Sequence, residues 1–143
     1  MTIENISQNA ISELLEIEEE VFPNPWRYED FEIMLFNSPY NFLLKEKNEI
    51  IGYFCSLVTD KIIHITNFAI AKKYQDNGLG YLFLKILIKS SNQDRHPTFF
   101  LEVRKSNKKA IHLYEKLGFE IADIIQNYYK NPQEDALLMV KDK

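Results

Sequence analysis

The sequence predicts a mixed α/β fold with the element order βααβββαβαββ. Three observations predict it: two helical-period stretches near the start, a block of short β-branched and aromatic runs after them, and two more helical stretches set between later strand-like runs. No repeat, linker or low-complexity tract interrupts the 143 residues, so one domain over 1–143 is expected. Hydrophobic residues make up 45% of the chain and aromatics 13%, enough to fill a single core at this length.

A first strand is read over 2–6. Ala10, Ile11, Leu14, Leu15, Ile17 and Val21 then follow helical spacing, while Glu13, Glu16, Glu18, Glu19 and Glu20 read as a solvated helix face rather than a metal site. Pro23-Asn24-Pro25 stops this helix, and Tyr28, Phe31, Met34 and Leu35 mark a second short one ending near Asn37-Ser38-Pro39. A Pro-Trp loop joins the two. Runs over 41–45, 50–58 and 61–70, parted by polar turns at Lys47-Asn48 and Thr59-Asp60, read as an antiparallel meander. Leu79, Leu82, Phe83, Ile86 and Leu87 then form the i, i+3, i+4, i+7, i+8 stripe of an amphipathic helix that covers one sheet face. Pro97 precedes a strand over 98–103. Ala110, Ile111, Tyr114 and Leu117 mark a last helix, which Gly118 is suited to end, and strands over 119–125 and 136–140 complete the order.

Charge and cysteine usage narrow the function classes. Seventeen Lys and Arg against 21 Asp and Glu give a formal net charge of −4, which disfavours a nucleic-acid or anionic-membrane surface and tolerates a basic partner. Cys55, the one cysteine, lies among Tyr53, Phe54, Ser56 and Leu57; it reads as a small buried hydrophobe in a reducing compartment. Met1-Thr2-Ile3-Glu4-Asn5 has neither the basic region nor the apolar run of a signal peptide, and Lys85 interrupts the longest apolar helix. A cytoplasmic protein with no membrane association is expected. His64, His96 and His112 lack metal-ligand spacing with Cys55 or one another, so no metal is expected.

The segment Tyr74-Gln75-Asp76-Asn77-Gly78-Leu79-Gly80 stands where a strand gives way to the strongest helix. Gly78 and Gly80 permit close backbone approach, and the unsatisfied amides at a helix start favour a phosphate. An ordinary tight turn opening a helix has the same composition. The segment lacks the G-x-x-x-x-G-K-[ST] of a P-loop and the spacing of a dinucleotide-binding fingerprint, which removes weight from nucleotide hydrolysis and hydride transfer.

Gln75-x-x-Gly78-x-Gly80 resembles the coenzyme A pyrophosphate motif of the GNAT acetyltransferase superfamily, and the element order is similar to that fold. Leu101-Glu102-Val103-Arg104-Lys105-Ser106-Asn107, Leu113-Tyr114-Glu115-Lys116-Leu117-Gly118-Phe119, and Asn127-Tyr128-Tyr129 with Glu134-Asp135-Ala136 resemble its RimI-type branch, the ribosomal-protein-alanine N-acetyltransferases. The resemblance spans nearly the whole chain. It implies a mixed central sheet with splayed middle strands, acetyl-CoA as acetyl donor, and an amine acceptor, foremost the N-terminal alanine of a small-subunit ribosomal protein. It implies Glu102 as proton acceptor and Tyr114 as proton donor to the leaving thiolate. Main-chain amides at Phe68, Ala69 and Ile70 are implied at the thioester carbonyl, and residues Gln75, Asp76, Asn77, Gly78, Leu79, Gly80 and Tyr81, with Asn107, at the coenzyme. Trp26, Tyr128 and Tyr129 are implied as walls of a peptide-end pocket. A monomer or weak dimer is expected.

The residues themselves leave other readings open. Strand alternation sets Glu102 opposite Leu101 and Val103 with no local partner, which also describes an exposed strand glutamate. Tyr114 fits core packing, Asn107 fits a helix cap, and Trp26, Tyr128 and Tyr129 fit aromatic packing. His64 is an alternative base, and each histidine is otherwise structural. Asp76 in the turn and Tyr81 after it replace basic residues common in the family, and Arg27 stands where a small hydroxyl residue is frequent. A small-amine acetyltransferase, or a coenzyme-binding module without turnover, therefore stands beside the leading reading.

Overall fold

The computed structural model describes residues 1–91 and 97–142; His96 lies outside them. Its elements are β1 (Thr2–Asn5), α1 (Ile11–Val21), α2 (Tyr28–Asn37), β2 (Asn41–Glu46), β3 (Glu49–Thr59), β4 (Ile62–Ile70), α3 (Leu79–Ser91), β5 (Thr98–Arg104), α4 (Lys108–Lys116), β6 (Glu120–Tyr129) and β7 (Glu134–Asp142). The order is the expected one, with short 3-10 turns added at Gln8–Ala10 and Lys72–Tyr74. The strands hydrogen-bond in the sequence β1-β2-β3-β4-β5-β7-β6. The sheet is mixed: β4 and β5 run parallel, whereas β1 with β2, β2 with β3, β5 with β7 and β6 with β7 run antiparallel. The described β4 to β5 pairing covers three residues, Ile62 to Thr98, Ile63 to Phe99 and His64 to Phe100.

The chain forms two compact units: Met1–Val58 with Ile65–Gly80, and Thr59–His64 with Tyr81–Lys143. In the first, Ile11, Leu14 and Ile17 of α1 and Phe31 and Met34 of α2 close on Leu43, Ile50, Tyr53 and Ala69 from the strands. Cys55 is in the same cluster as a free thiol, and burial pushes its pKa up, so it behaves as the small hydrophobe that its neighbours suggest. Gly52 is required by close backbone approach: a Cβ there would lie 2.9 Å from the Ala69 carbonyl oxygen and 2.7 Å from Ile70 Cδ1. Gly52→Ala is expected to cost about 1–3 kcal/mol by overpacking, read as a fall in Tm.

In the second unit, β5 alternates as predicted, with Phe99, Leu101 and Val103 buried and Phe100 and Glu102 on the half-exposed side. The predicted stripe of α3 needs correction. Phe83, Leu84, Leu87 and Ile88 are buried, whereas Leu82 and Ile86 are exposed. The helix is apolar around most of its circumference, so two stripes offset by one residue satisfy the same period, and packing chooses between them. Strand β6 extends through Asn127-Tyr128-Tyr129, which the sequence set after the strand. The irregular register between Ile125 and Tyr129, with Asn127 at φ 53°, carries the chain on as a bulge. Among the described residues no helix is long and apolar enough to cross a membrane.

Candidate active site

Glu102 lies on the half-exposed side of β5, in the second unit. Its side chain is only 15% exposed, and its Oε1 lies 2.8 Å from Nε2 of His64, on the neighbouring parallel strand. The imidazole stacks on Phe100 at 4.2 Å and 9° between planes, which fixes its orientation toward the carboxylate. An ionised carboxylate only accepts, so in that state Nε2 carries the shared proton. Glu102 has no local partner, as its neighbours in sequence suggest; parallel pairing of two distant strands supplies a remote one.

Tyr128 and Tyr129 belong to the same neighbourhood. Burial raises the pKa of both phenols, and the Glu102 charge raises each further. Their rings meet edge to face at 4.9 Å. Arg104, two residues beyond Glu102 on the same strand face, holds this hairpin: its guanidinium lies 4.5 Å from the Tyr129 ring centroid and donates to the Lys130 and Pro132 carbonyls and to Glu134 Oε1. Glu134 in turn accepts from the Ser106 amide at 2.6 Å, and these donors hold its carboxyl below the usual range.

Tyr114, on α4, is buried with its ring edge against Phe119 at 5.7 Å, and burial pushes its phenol pKa up. Its charge also raises the pKa of Tyr129, which marks the two as neighbours. No hydrogen bond joins the Tyr114 hydroxyl to a described residue. A buried hydroxyl without a protein partner is uncommon, because desolvation costs about 1–3 kcal/mol if nothing replaces water. Asn107 caps α4, its Oδ1 accepting from the Ala110 amide at 3.2 Å, so the capping reading holds. An open cavity of about 520 Å³ lined by Lys105, Ser106, Lys108, Asn127, Gln133, Glu134 and Asp135 includes neither Glu102 nor Tyr114.

In the first unit the glycine turn has the geometry of an anion cradle. Asp76 and Gly78 adopt left-handed backbone, at φ 66° and 76°, immediately before α3 begins at Leu79. Among the described residues nothing lies within 4 Å of where a Gly78 Cβ would stand, so the turn presents open backbone at a helix start. Gln75 braces it by donating from Nε2 to the Ile70 carbonyl at 2.9 Å, tying the turn to the end of β4 that carries Phe68, Ala69 and Ile70. These features fit a pyrophosphate. Lys73, near the turn, is bound to Glu49 at 2.7 Å. In the second unit, Tyr81 carries two ammonium groups on its ring, from Lys85 at 5.4 Å and Lys116 at 5.3 Å, so the position read as a loss of positive charge has cations beside it. Among the described residues no group of three or more His, Cys, Asp or Glu side chains is arranged to hold a metal ion.

Trp26 sits half-buried in the first unit, its ring edge-on to Phe31 at 5.0 Å. Its backbone amide donates at 2.9 Å to Oε2 of Glu18, which is 2% exposed. This corrects the solvated reading of Glu18. Positions 11, 14 and 18 fall on one helical stripe, and that spacing was the signal for burial. Glu13, Glu16, Glu19 and Glu20 are exposed as expected.

Residues 9–119 match the acetyltransferase (GNAT) family. The chain is 37% identical to the ribosomal protein bS18-alanine N-acetyltransferase of Haemophilus influenzae, over 96% of this chain and 95% of that one. The crystal structure of the ribosomal-protein-S18-alanine N-acetyltransferase from Escherichia coli superposes with a TM-score of 0.88 at 32% identity, covering 99% of this chain and 92% of the other. Ard1 from Thermoplasma volcanium shares the fold at a TM-score of 0.91 and 20% identity, over 99% and 96% of the two chains.

Proposed function

Because the chain belongs to the acetyltransferase (GNAT) family, we propose that it transfers the acetyl group of acetyl-CoA to the N-terminal α-amino group of a protein, foremost the terminal alanine of a small-subunit ribosomal protein. The observation that carries the acceptor is the likeness to alanine-acetylating relatives along almost the entire chain. Its net charge of −4 tolerates a basic partner of this kind, and a buried free Cys55 supports a cytoplasmic setting.

The chemistry is direct attack, with no covalent acetyl-enzyme. An N-terminal amine has a reference pKa of about 7.7–8.0, so only a modest base is needed near neutrality. Glu102 takes the amine proton, directly or through one water, and its bond to His64 keeps the carboxylate in one orientation. Amides at Phe68, Ala69 and Ile70 donate to the thioester oxygen as charge develops there. Tyr114 offers its unpartnered hydroxyl to the departing thiolate. In the first unit the turn from Gln75 to Gly80 is assigned to the pyrophosphate and Trp26 to the acceptor; in the second, Tyr81 and Asn107 are assigned to the coenzyme and Tyr128 and Tyr129 to the acceptor.

The test is release of free thiol from acetyl-CoA with a hexapeptide beginning in alanine, against the same peptide with a blocked terminus. Release with the free terminus alone is expected. Release with neither moves the assignment to a small-amine substrate or to a binding module without turnover.

A further inference from the structure

Glu18 is a buried carboxylate that the chemistry above does not use. It sits on α1, and three donors from three other segments converge on it. Tyr53 of β3 donates its hydroxyl to Oε1, Asn67 of β4 donates to the same oxygen at 2.8 Å, and the Trp26 amide donates to Oε2 at 2.9 Å. Burial raises the Glu18 pKa while these three bonds oppose the rise. Side chains repeat the connection, since Trp26 packs on Phe31, and Phe31 on Tyr53 at 5.7 Å. Pro23, Asn24 and Pro25 before Trp26 are exposed, so Glu18 clamps the inner end of a surface loop.

We propose that Glu18 is a positioning residue for acceptor binding, its two carboxylate oxygens locking the Trp26 loop to β3 and β4 so that the acceptor pocket wall is preformed. The role rests on the reading that Trp26 walls that pocket. A carboxylate suits the task because it is acceptor-only on both oxygens. A glutamine satisfies Tyr53 and Asn67 through Oε1 and then turns its own N–H toward the Trp26 N–H. One end of the clamp holds and the loop end opens.

Trp26 is the only tryptophan, so intrinsic fluorescence reports on this loop alone. In Glu18→Gln, the KM for the alanine hexapeptide is expected to rise about tenfold, the loss of one charge-assisted hydrogen bond, with the acetyl-CoA KM unchanged. Acrylamide quenching of Trp26 is expected to increase. Glu19→Gln removes the exposed carboxylate at the next position of α1 and leaves all three Glu18 bonds; its peptide KM is expected to stay at the wild-type value. An equal rise in both variants, or an unchanged peptide KM in Glu18→Gln, overturns the proposal. If Glu18→Gln does not fold, Glu18→Asp withdraws the carboxylate from Trp26 while keeping its charge, and the same readouts apply. Peptide added to wild-type protein saturated with coenzyme A is expected to change Trp26 emission. No change there overturns the pocket-wall reading itself, whereas a change that persists in Glu18→Gln with wild-type KM overturns only the role of Glu18.

Discussion

Glu102→Gln is expected to lower turnover with the alanine peptide by about a hundred- to ten-thousandfold, the range typical for loss of a positioned proton-transfer group. The substitution is shape-conserving. The glutamine carbonyl still accepts from His64 Nε2, so the strand pairing and the stacked imidazole are preserved and the Tm should hold. Acetyl-CoA affinity should also hold, since the residues assigned to the pyrophosphate belong to the turn before α3. Without the base, the rate follows the free-amine fraction, which is roughly a tenth near pH 7 for a terminus of pKa about 8 and grows as pH rises. The pH profile of the variant should therefore move upward. Steady-state turnover against pH, paired with calorimetric acetyl-CoA affinity, checks both parts. Unchanged turnover and profile would remove Glu102 as the base and pass the role to His64.

The side of β5 that Glu102 occupies was legible from alternation, because period two is a local property of the strand. Its partner was not, because His64 lies 38 positions away and reaches it only through the register of a parallel pair, which no local pattern encodes. The same limit explains Arg104. Its place in the motif was visible, but its grip on Tyr129, Lys130, Pro132 and Glu134 depends on where β6 and β7 return. The turn at Gly78 and the helix start at Leu79 were readable because both are consequences of neighbouring residues, whereas the brace from Gln75 to the Ile70 carbonyl was not. Two misreadings had a different cause. In α3 nearly every face is apolar, so the period was ambiguous. In α1 the run of glutamates suggested a charged face, and residue type outweighed the spacing that put Glu18 on the buried stripe.

Tyr114→Phe is expected to separate catalysis from stability. The ring and its edge contact with Phe119 remain, and the hydroxyl that is lost has no described protein partner to abandon. Removing an unpartnered buried hydroxyl relieves a desolvation cost of about 1–3 kcal/mol, so the Tm should stay level or rise. Turnover is nonetheless expected to fall by about a hundredfold, the lower end of the range for proton-transfer groups. The lower end follows from chemistry. Burial raises the phenol above its ordinary value near 10, so the proton is firmly held at working pH, and transfer to a thiolate with a reference pKa of about 8.5 is uphill. The larger part of the effect is then hydrogen-bond donation to sulfur as negative charge gathers, with full transfer following as the product departs. An acyl donor with a more acidic thiol needs less of this help, so the gap between Tyr114→Phe and wild type should narrow with such a donor. A Tm loss that tracks the loss of rate, with no dependence on the leaving thiol, would assign Tyr114 to core packing alone.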